Sequence, residues 1–280
     1  MCIIQKCRKY YRLYLIIAVL TACSFIFIYQ FFILDSLFSS PLTEDDLRSL
    51  NLTLGTLLSE LDRLNVTYFM HHGTLIGSYR HHGRIPWDDD VDLMLNSSDK
   101  RRIYRALTAL KPDYGLYLSD DFDSPYHWKF FPLRHGSSVP LRPVHWPFVD
   151  LLFFKENVTH VWNPSPSYSN ECWPRSAIFP LQKRPFDNFW IPAPCDVLRV
   201  LIAEYDDVSM CVSRDFSHGY SIPMPTVAIS CSSFANLYPM VIRRSTTVGS
   251  RQVVSESLVI DNRTLQIITL ENACEQDSFE

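Results

Sequence analysis

Four of the five residues from Asp88 to Asp92 are aspartates, and the chain continues from them straight into the apolar run Leu93, Met94, Leu95. Clustered acids belong on solvated loops, where mutual repulsion costs little. Here the pattern predicts a buried strand over 90–95, so Asp90 and Asp92 share one face, roughly 6–7 Å apart, while Val91, Leu93 and Leu95 face the packed side. Carboxylates that converge at the edge of a core repel one another unless a cation lies between them. The simplest such cation is a hard divalent ion on oxygen ligands, Mg2+ or Mn2+. A third acid stands in FVDLLFF, residues 148–154, where Asp150 is the only charged side chain of a segment suited to a central strand. Set beside the first strand, it completes a metal site; taken alone, it equally suits a strand-end carboxylate bonded to a neighbouring amide. A calcium loop is excluded, because Leu93 stands where D-x-D-x-D-G requires glycine and Asp99 where it requires a bidentate glutamate.

The elements around this strand alternate. Thr43 before Glu44, Asp45 and Asp46 is an N-cap with acids in the first turn. Leu47, Leu50, Leu54, Leu57, Leu58, Leu61 and Leu64 follow at spacings of three and four, one face of an amphipathic helix. Val66 to Met70 reads as a strand, Thr74 to Arg80 as a short helix, and Ser98 or Asp99 as the cap of a helix that ends before Lys111 and Pro112. Further strands are predicted at 114–118, 126–133 and 148–154, and a helix at 196–205. This order predicts an α/β (α+β) fold, a mixed sheet flanked by helices. Residues 162–195, dense in Pro, Trp and Ser, read as extended loop. Beyond about residue 209 periodicity fades, with TVAIS and LQIITL as candidate strands.

A net charge of −4 gives no basic footprint, so nucleic acid is not expected as a partner. Residues 13–34 carry no charge and, at 1.5 Å per residue, span about 30 Å, the thickness of a hydrocarbon layer. The expectation is a transmembrane anchor in the lipid bilayer. Lys6, Arg8, Lys9 and Arg12 precede it while Asp35, Glu44, Asp45 and Asp46 follow, which predicts single-pass type II topology with the remainder lumenal. A cleaved signal peptide is disfavoured, since the apolar run exceeds the usual core and no small-x-small site follows. Sequons at Asn51, Asn65, Asn157 and Asn262 fit a glycosylating lumen; Asn96, beside the acid cluster, is set aside. Cys172, Cys195, Cys211, Cys231 and Cys274 are an odd set, so one stays outside any internal pairing, and no CxxC spacing supports zinc. Cys2, Cys7 and Cys23 lie at or in the expected anchor, as acylation sites or inert thiols.

Upstream of the acids, Gly73 and Thr74 follow a strand and open a helix. Free amides at a helix N-terminus attract phosphate, and glycine lets the backbone come close. Joined to the D-h-D strand, this pairs a phosphate cradle with metal carboxylates. The whole run HHGTLIGSYRHHGRIPWDDDVDLML resembles the signature of the LicD family, with fukutin and fukutin-related protein as animal relatives, within the nucleotidyltransferase-fold superfamily. Gly73 to Asp92 follows G-T-L-L-G-x-x-R-H-x-G-x-I-P-W-D-D-D-[IV]-D nearly throughout. FVDLLFF resembles the family's third-acid strand. Ile191 to Asp207 is more weakly similar to its proline-led helix ending in Tyr-Gly-Asp, with Asp206 in place of the glycine. The resemblance covers about residues 45–207. It implies a nucleotidyltransferase-like fold and metal-dependent transfer of a phospho-alcohol, phosphocholine or ribitol phosphate, from a CDP-linked donor to a glycan or glycoprotein acceptor. By position it implies metal on Asp90 and Asp92, Asp150 as a further ligand or base, and phosphate on Gly73 and Thr74. Asp88 and Asp89 are additional candidates without an assigned role.

Arg80 suits donor phosphate or a salt bridge to the acid loop. His71, His72, His81 and His82 form adjacent pairs whose side chains should point apart, which favours structural or substrate contacts over metal. Trp87 reads as packing for the loop, and Tyr126, Trp128, Trp146 and Trp162 as core in preference to an ammonium cage. The expected division is a cytosolic tail at 1–12, an anchor at 13–34, a stem at 35–42, a catalytic domain at 43–208 and a C-terminal extension at 209–280, in a Golgi or endoplasmic-reticulum membrane. Two rivals stand beside this enzyme. A catalytically silent relative that binds glycans or partner transferases has no need of three clustered acids. A metal-dependent glycosyltransferase would use Asp88 to Asp90 or Asp90 to Asp92 as its D-x-D, but does not need the glycine turn.

Overall fold

The Thr43 hydroxyl accepts from the Asp46 amide while the Asp46 carboxylate accepts from the Thr43 amide. Such a reciprocal cap is worth about 1 kcal/mol and fixes where the following helix starts. The computed structural model that shows it describes residues 2–29, 34–118, 127–205, 207–248, 251–271 and 274. The chain divides into two units, Met1–Ser39 and Ser40–Glu280.

The first unit contains helix α1 (Cys2–Ile28). Its described residues from Leu13 onward are exposed and mostly apolar. Among the described residues no helix is long and apolar enough to cross a membrane. The anchor expected at 13–34 is therefore unsupported, and its residues 30–33 lie outside the described residues.

In the second unit, the capped helix α2 (Glu44–Arg63) is followed by β1 (Tyr68–Met70), α3 (His72–His81), β2 (Val91–Asn96), α4 (Lys100–Thr108), β3 (Tyr114–Leu118), β4 (His127–Pro132) and β5 (Val149–Glu156). These strands lie in the order β1-β2-β5-β4-β3; β6 (His160–Trp162) continues from β5 and β7 (Cys172–Pro174) from β6. The β2–β5 pair is parallel and its neighbours antiparallel, so the sheet is mixed. The leucine stripe of α2 covers one side: Leu50, Leu54, Leu57 and Leu61 share a core with Val91, Leu93 and Leu95. That burial is what holds β2 in register, because a one-residue slip would drive Asp92 into the packed face.

Where the sequence read as loop, the structure has more. Residues 182–193 form a hairpin of β8 (Gln182–Phe186) and β9 (Phe189–Ala193). Helix α5 (Val197–Glu204) follows, with the Asp196 side chain as its cap. The segment after residue 209 contains a short pair, β10 (Met210–Val212) with β11 (Ala228–Ser230). It ends in a three-stranded meander of β12 (Met240–Val248), β13 (Arg251–Ile260) and β14 (Arg263–Glu271).

Buried charge joins the meander to the rest, and a disulfide holds the chain just beyond its last strand. Glu256 on β13 receives Arg184 at 2.8 and 2.9 Å, Arg243 at 2.8 Å and His82 at 2.9 Å. Burial favours its neutral form, but His82, Arg184 and Arg243 outweigh that and hold Glu256 down at about 2. Cys195 pairs with Cys274 and Cys211 with Cys231, leaving Cys172 as an exposed free thiol.

Candidate active site

Strand register brings the acids together. Asp92 on β2 stands opposite Asp150 on β5, and Lys129 on β4 stands opposite Asp150 from the other side. Asp90, just before β2, completes the group: one oxygen each from Asp90, Asp92 and Asp150 lie within 4.8 Å of one another. The Lys129 ammonium donates to both Asp150 oxygens at 2.6 and 2.8 Å, and His127 Nε2 lies 3.2 Å from one of them.

The turn into α3 is stitched to the same strand. The His71 amide donates to the Asp92 carbonyl at 3.2 Å, and the Asp92 amide donates to the Thr74 hydroxyl at 2.7 Å. A Cβ on Gly73 would meet Asp88 Oδ2 at 2.4 Å, so glycine is what permits the carboxylate to approach this helix end.

Two residues expected at phosphate have protein partners in the structure. Thr74 is buried and its hydroxyl accepts from the Asp92 amide, which aligns β2 with the turn into α3. Arg80 lies seven residues beyond Gly73, about 10 Å along the helix axis. Its guanidinium donates to the Met210 carbonyl at 3.1 Å and touches the sulfurs of Cys211 and Cys231 at 3.1 and 2.8 Å.

The histidine pairs behave differently from one another. His71 and His72 stack, ring centroids 3.8 Å apart, and share Glu171 through their Nε2 atoms at 3.1 and 2.5 Å. The expectation that they point apart fails because His72 has φ 42, which folds the second ring over the first. Glu204 lies 3.1 Å from His71 Nδ1. Burial disfavours a charged His71, but Glu204 and Glu171 outweigh it and push the ring up to about 10. His81 and His82 do diverge, toward the Pro239 carbonyl and Glu256. Trp87 is buried against Phe234 and Tyr238, and Trp128 against Phe153; Tyr126 lies outside the described residues.

His218, which no motif announced, comes from the C-terminal segment. Its amide donates to Asp89 Oδ2 at 3.0 Å, its Nδ1 lies 2.6 Å from Asp89 Oδ1 and its Nε2 lies 3.2 Å from Asp90 Oδ2. Asp89 thus turns away from the three-acid group toward His218, and Asp88 toward Gly73.

A cavity of about 610 Å³ opens on the acids. Asp88, Asp90, Asp92 and Asp150 form its acid wall, Lys129, Arg142 and Arg214 bring cations, and Tyr117, Tyr168 and Phe216 bring aromatic faces. Burial and then neighbouring carboxylates push Asp88 up to about 8 and Asp92 well above the usual carboxylate range, while for Asp90 burial outweighs the opposing His218 and raises it to about 6. Burial pushes Asp150 the same way, but Lys129 and His127 prevail and hold it below that range. The group therefore carries more carboxylate than its histidines and lysine balance, and a divalent ion on hard oxygen donors fits that excess.

Fold and site together define a mixed α/β domain with a carboxylate-walled cleft at the edge of a parallel strand pair. Residues 65–196 match the family described as LicD/FKTN/FKRP, nucleotidyltransferase domain. The chain is 25% identical over 147 residues to an uncharacterized protein of Rickettsia typhi, covering 52% of this chain and 42% of that protein. It is 39% identical over 66 residues to the lipopolysaccharide cholinephosphotransferase LicD of Haemophilus influenzae, 23% of this chain and 25% of that protein. It is 26% identical over 159 residues to the human ribitol 5-phosphate transferase FKRP, 55% of this chain and 30% of that protein. The chain spans less than half the length of these curated relatives.

Proposed function

We propose that this protein transfers a phospho-alcohol group, of the phosphocholine or ribitol-phosphate type, from a CDP-linked donor to a hydroxyl of a glycan or glycoprotein. The observation that carries the reading is the convergence of Asp90, Asp92 and Asp150 in a cavity that also presents Lys129, Arg142 and Arg214. An anionic diphosphate needs both: acids for the metal and fixed cations for the remaining charge. Asp90, Asp92 and Asp150 would hold Mg2+ or Mn2+, which when bound offsets charge on the transferring phosphorus. Asp150, locked by Lys129, suits a ligand better than a base. Asp88, which lines the cavity outside the three-acid group, is the candidate to take the acceptor's proton.

A secretory-pathway location, in the Golgi or endoplasmic reticulum, is part of the same proposal. Two disulfides support it, because such bonds persist in oxidising compartments. The exposed apolar residues of α1 support contact with a membrane, and the domain division at residue 208 stays with the proposal.

The test is incubation of the full chain with CDP-choline, CDP-ribitol and UDP-sugar donors, Mn2+ and a glycan panel. The expected result is CMP release with phospho-alcohol on the glycan, lost in Asp92→Asn. UDP release instead would favour the glycosyltransferase, and no release from any donor the silent relative.

A further inference from the structure

The family match ends at residue 196, yet a side chain beyond it, His218, meets the acids. Residues 210–231 leave and return at one place, where β10 pairs with β11 and Cys211 is bonded to Cys231. That base is tied to the family domain on two sides: Trp87 Nε1 donates to the Val212 carbonyl at 2.8 Å, and Arg80 donates to the Met210 carbonyl. Between its fixed ends the segment crosses the acids. His218 meets Asp89 through its amide and Nδ1, and Asp90 through Nε2. Its ring stands edge-on to Phe148 and Phe216, which block its rotation. Asp89 is 1% exposed, and its carbonyl accepts from Trp146 Nε1 at 3.0 Å, so the anchor for the imidazole is itself immobile.

The terminal torsion of an aspartate is broad and soft, so an unbraced Asp90 would sample many orientations. We propose that His218 is a positioning residue for the metal carboxylates: a disulfide-clamped strap delivers it to Asp89, which aims its Nε2 at Asp90 and fixes that carboxylate toward Asp92 and Asp150. The segment after residue 209 is on this account part of the active site. The inference rests on the metal reading above. Outer-shell partners of metal ligands typically contribute 10–100-fold in affinity.

The test is a calorimetric Mn2+ titration of the full chain at one pH, with thermal unfolding in EDTA to check folding. His218→Ala and His218→Asn are expected to bind Mn2+ about 10–100-fold more weakly than wild type. His218→Gln, whose amide reaches where Nε2 does, is expected to recover most of that loss. A Cys211→Ser/Cys231→Ser chain is expected to lose affinity to a similar degree, with no further loss when His218→Ala is added. Wild-type affinity in His218→Ala beside abolished binding in Asp92→Asn would overturn the inference and leave the metal site standing. So would a His218→Gln chain as weak as His218→Ala at equal thermal stability. No Mn2+ binding by wild type, or unaltered binding by Asp92→Asn, would overturn the metal reading itself, and the inference with it.

Discussion

Lys129 and Asp150 face one another across antiparallel strands, with the ammonium 2.6 Å from one carboxylate oxygen and 2.8 Å from the other. Breaking a buried pair from one side leaves an uncompensated charge and costs about 3–5 kcal/mol. Lys129→Met should therefore lower the unfolding midpoint sharply in EDTA. Mn2+ should restore much of it by supplying the missing positive charge. Differential scanning fluorimetry with and without the ion checks both halves, and equal destabilisation in the two conditions would count against a cation at this wall.

Gly73→Ala tests the approach of Asp88 to the helix end. The added methyl would lie 2.4 Å from Asp88 Oδ2, so the carboxylate must shift while the buried core is untouched. Misplacement by about 1 Å commonly costs about 100-fold in rate. The expected outcome is a loss of that order in kcat/KM with an unfolding midpoint within a few degrees of wild type.

The acids also set a pH dependence. Asp88 and Asp90 are raised from the ordinary 3.8 to about 8 and about 6, so between these values the folded, metal-free chain keeps protons that the unfolded chain has released. Stability then falls as pH rises, by up to about 1.4 kcal/mol per unit for each group that differs. His71 and His218, raised from 6.5 to about 10, act in the same direction above pH 6.5. The unfolding midpoint in EDTA should drop from pH 5 to pH 8, and saturating Mn2+ should flatten the slope, since the ion replaces the protons.

Glu256→Ala would leave Arg184, Arg243 and His82 without their shared partner. The expected cost is at least 3 kcal/mol, and the meander should loosen first because this cluster joins it to α3 and β8. Hydrogen exchange read segment by segment would show faster exchange in 240–271 than in β2 and β5.

The part of the fold nearest the acids was legible because its signals are local. The leucine spacing of α2, the Thr43 cap and the isolated acid in FVDLLFF each carry their physics within a few residues. The hairpin at 182–193 was hidden by Pro185 and Pro192, which argue against strands although each pairs here in a two-stranded edge. Of the meander, LQIITL was read as a strand and lies in β14, whereas β12 and β13 were missed because runs such as RRSTTV do not alternate cleanly. Arg80 was offered to phosphate because a guanidinium suits an oxyanion, but side-chain chemistry does not report that it bonds the Met210 carbonyl and the Cys211 and Cys231 sulfurs. His218 had no local mark at all: its role exists only through contact with Asp89, 129 residues earlier.

That separation has a consequence for the order in which the molecule is made. At about 5–20 residues per second, a ribosome that has just finished the aspartates needs roughly ten seconds more before the imidazole that braces them emerges. Any early nascent chain would display an unbraced acidic cleft, and a folding helper or a free cation would meet it in that interval. Pulse-labelled chains halted before residue 210 should bind Mn2+ less tightly than chains released at full length.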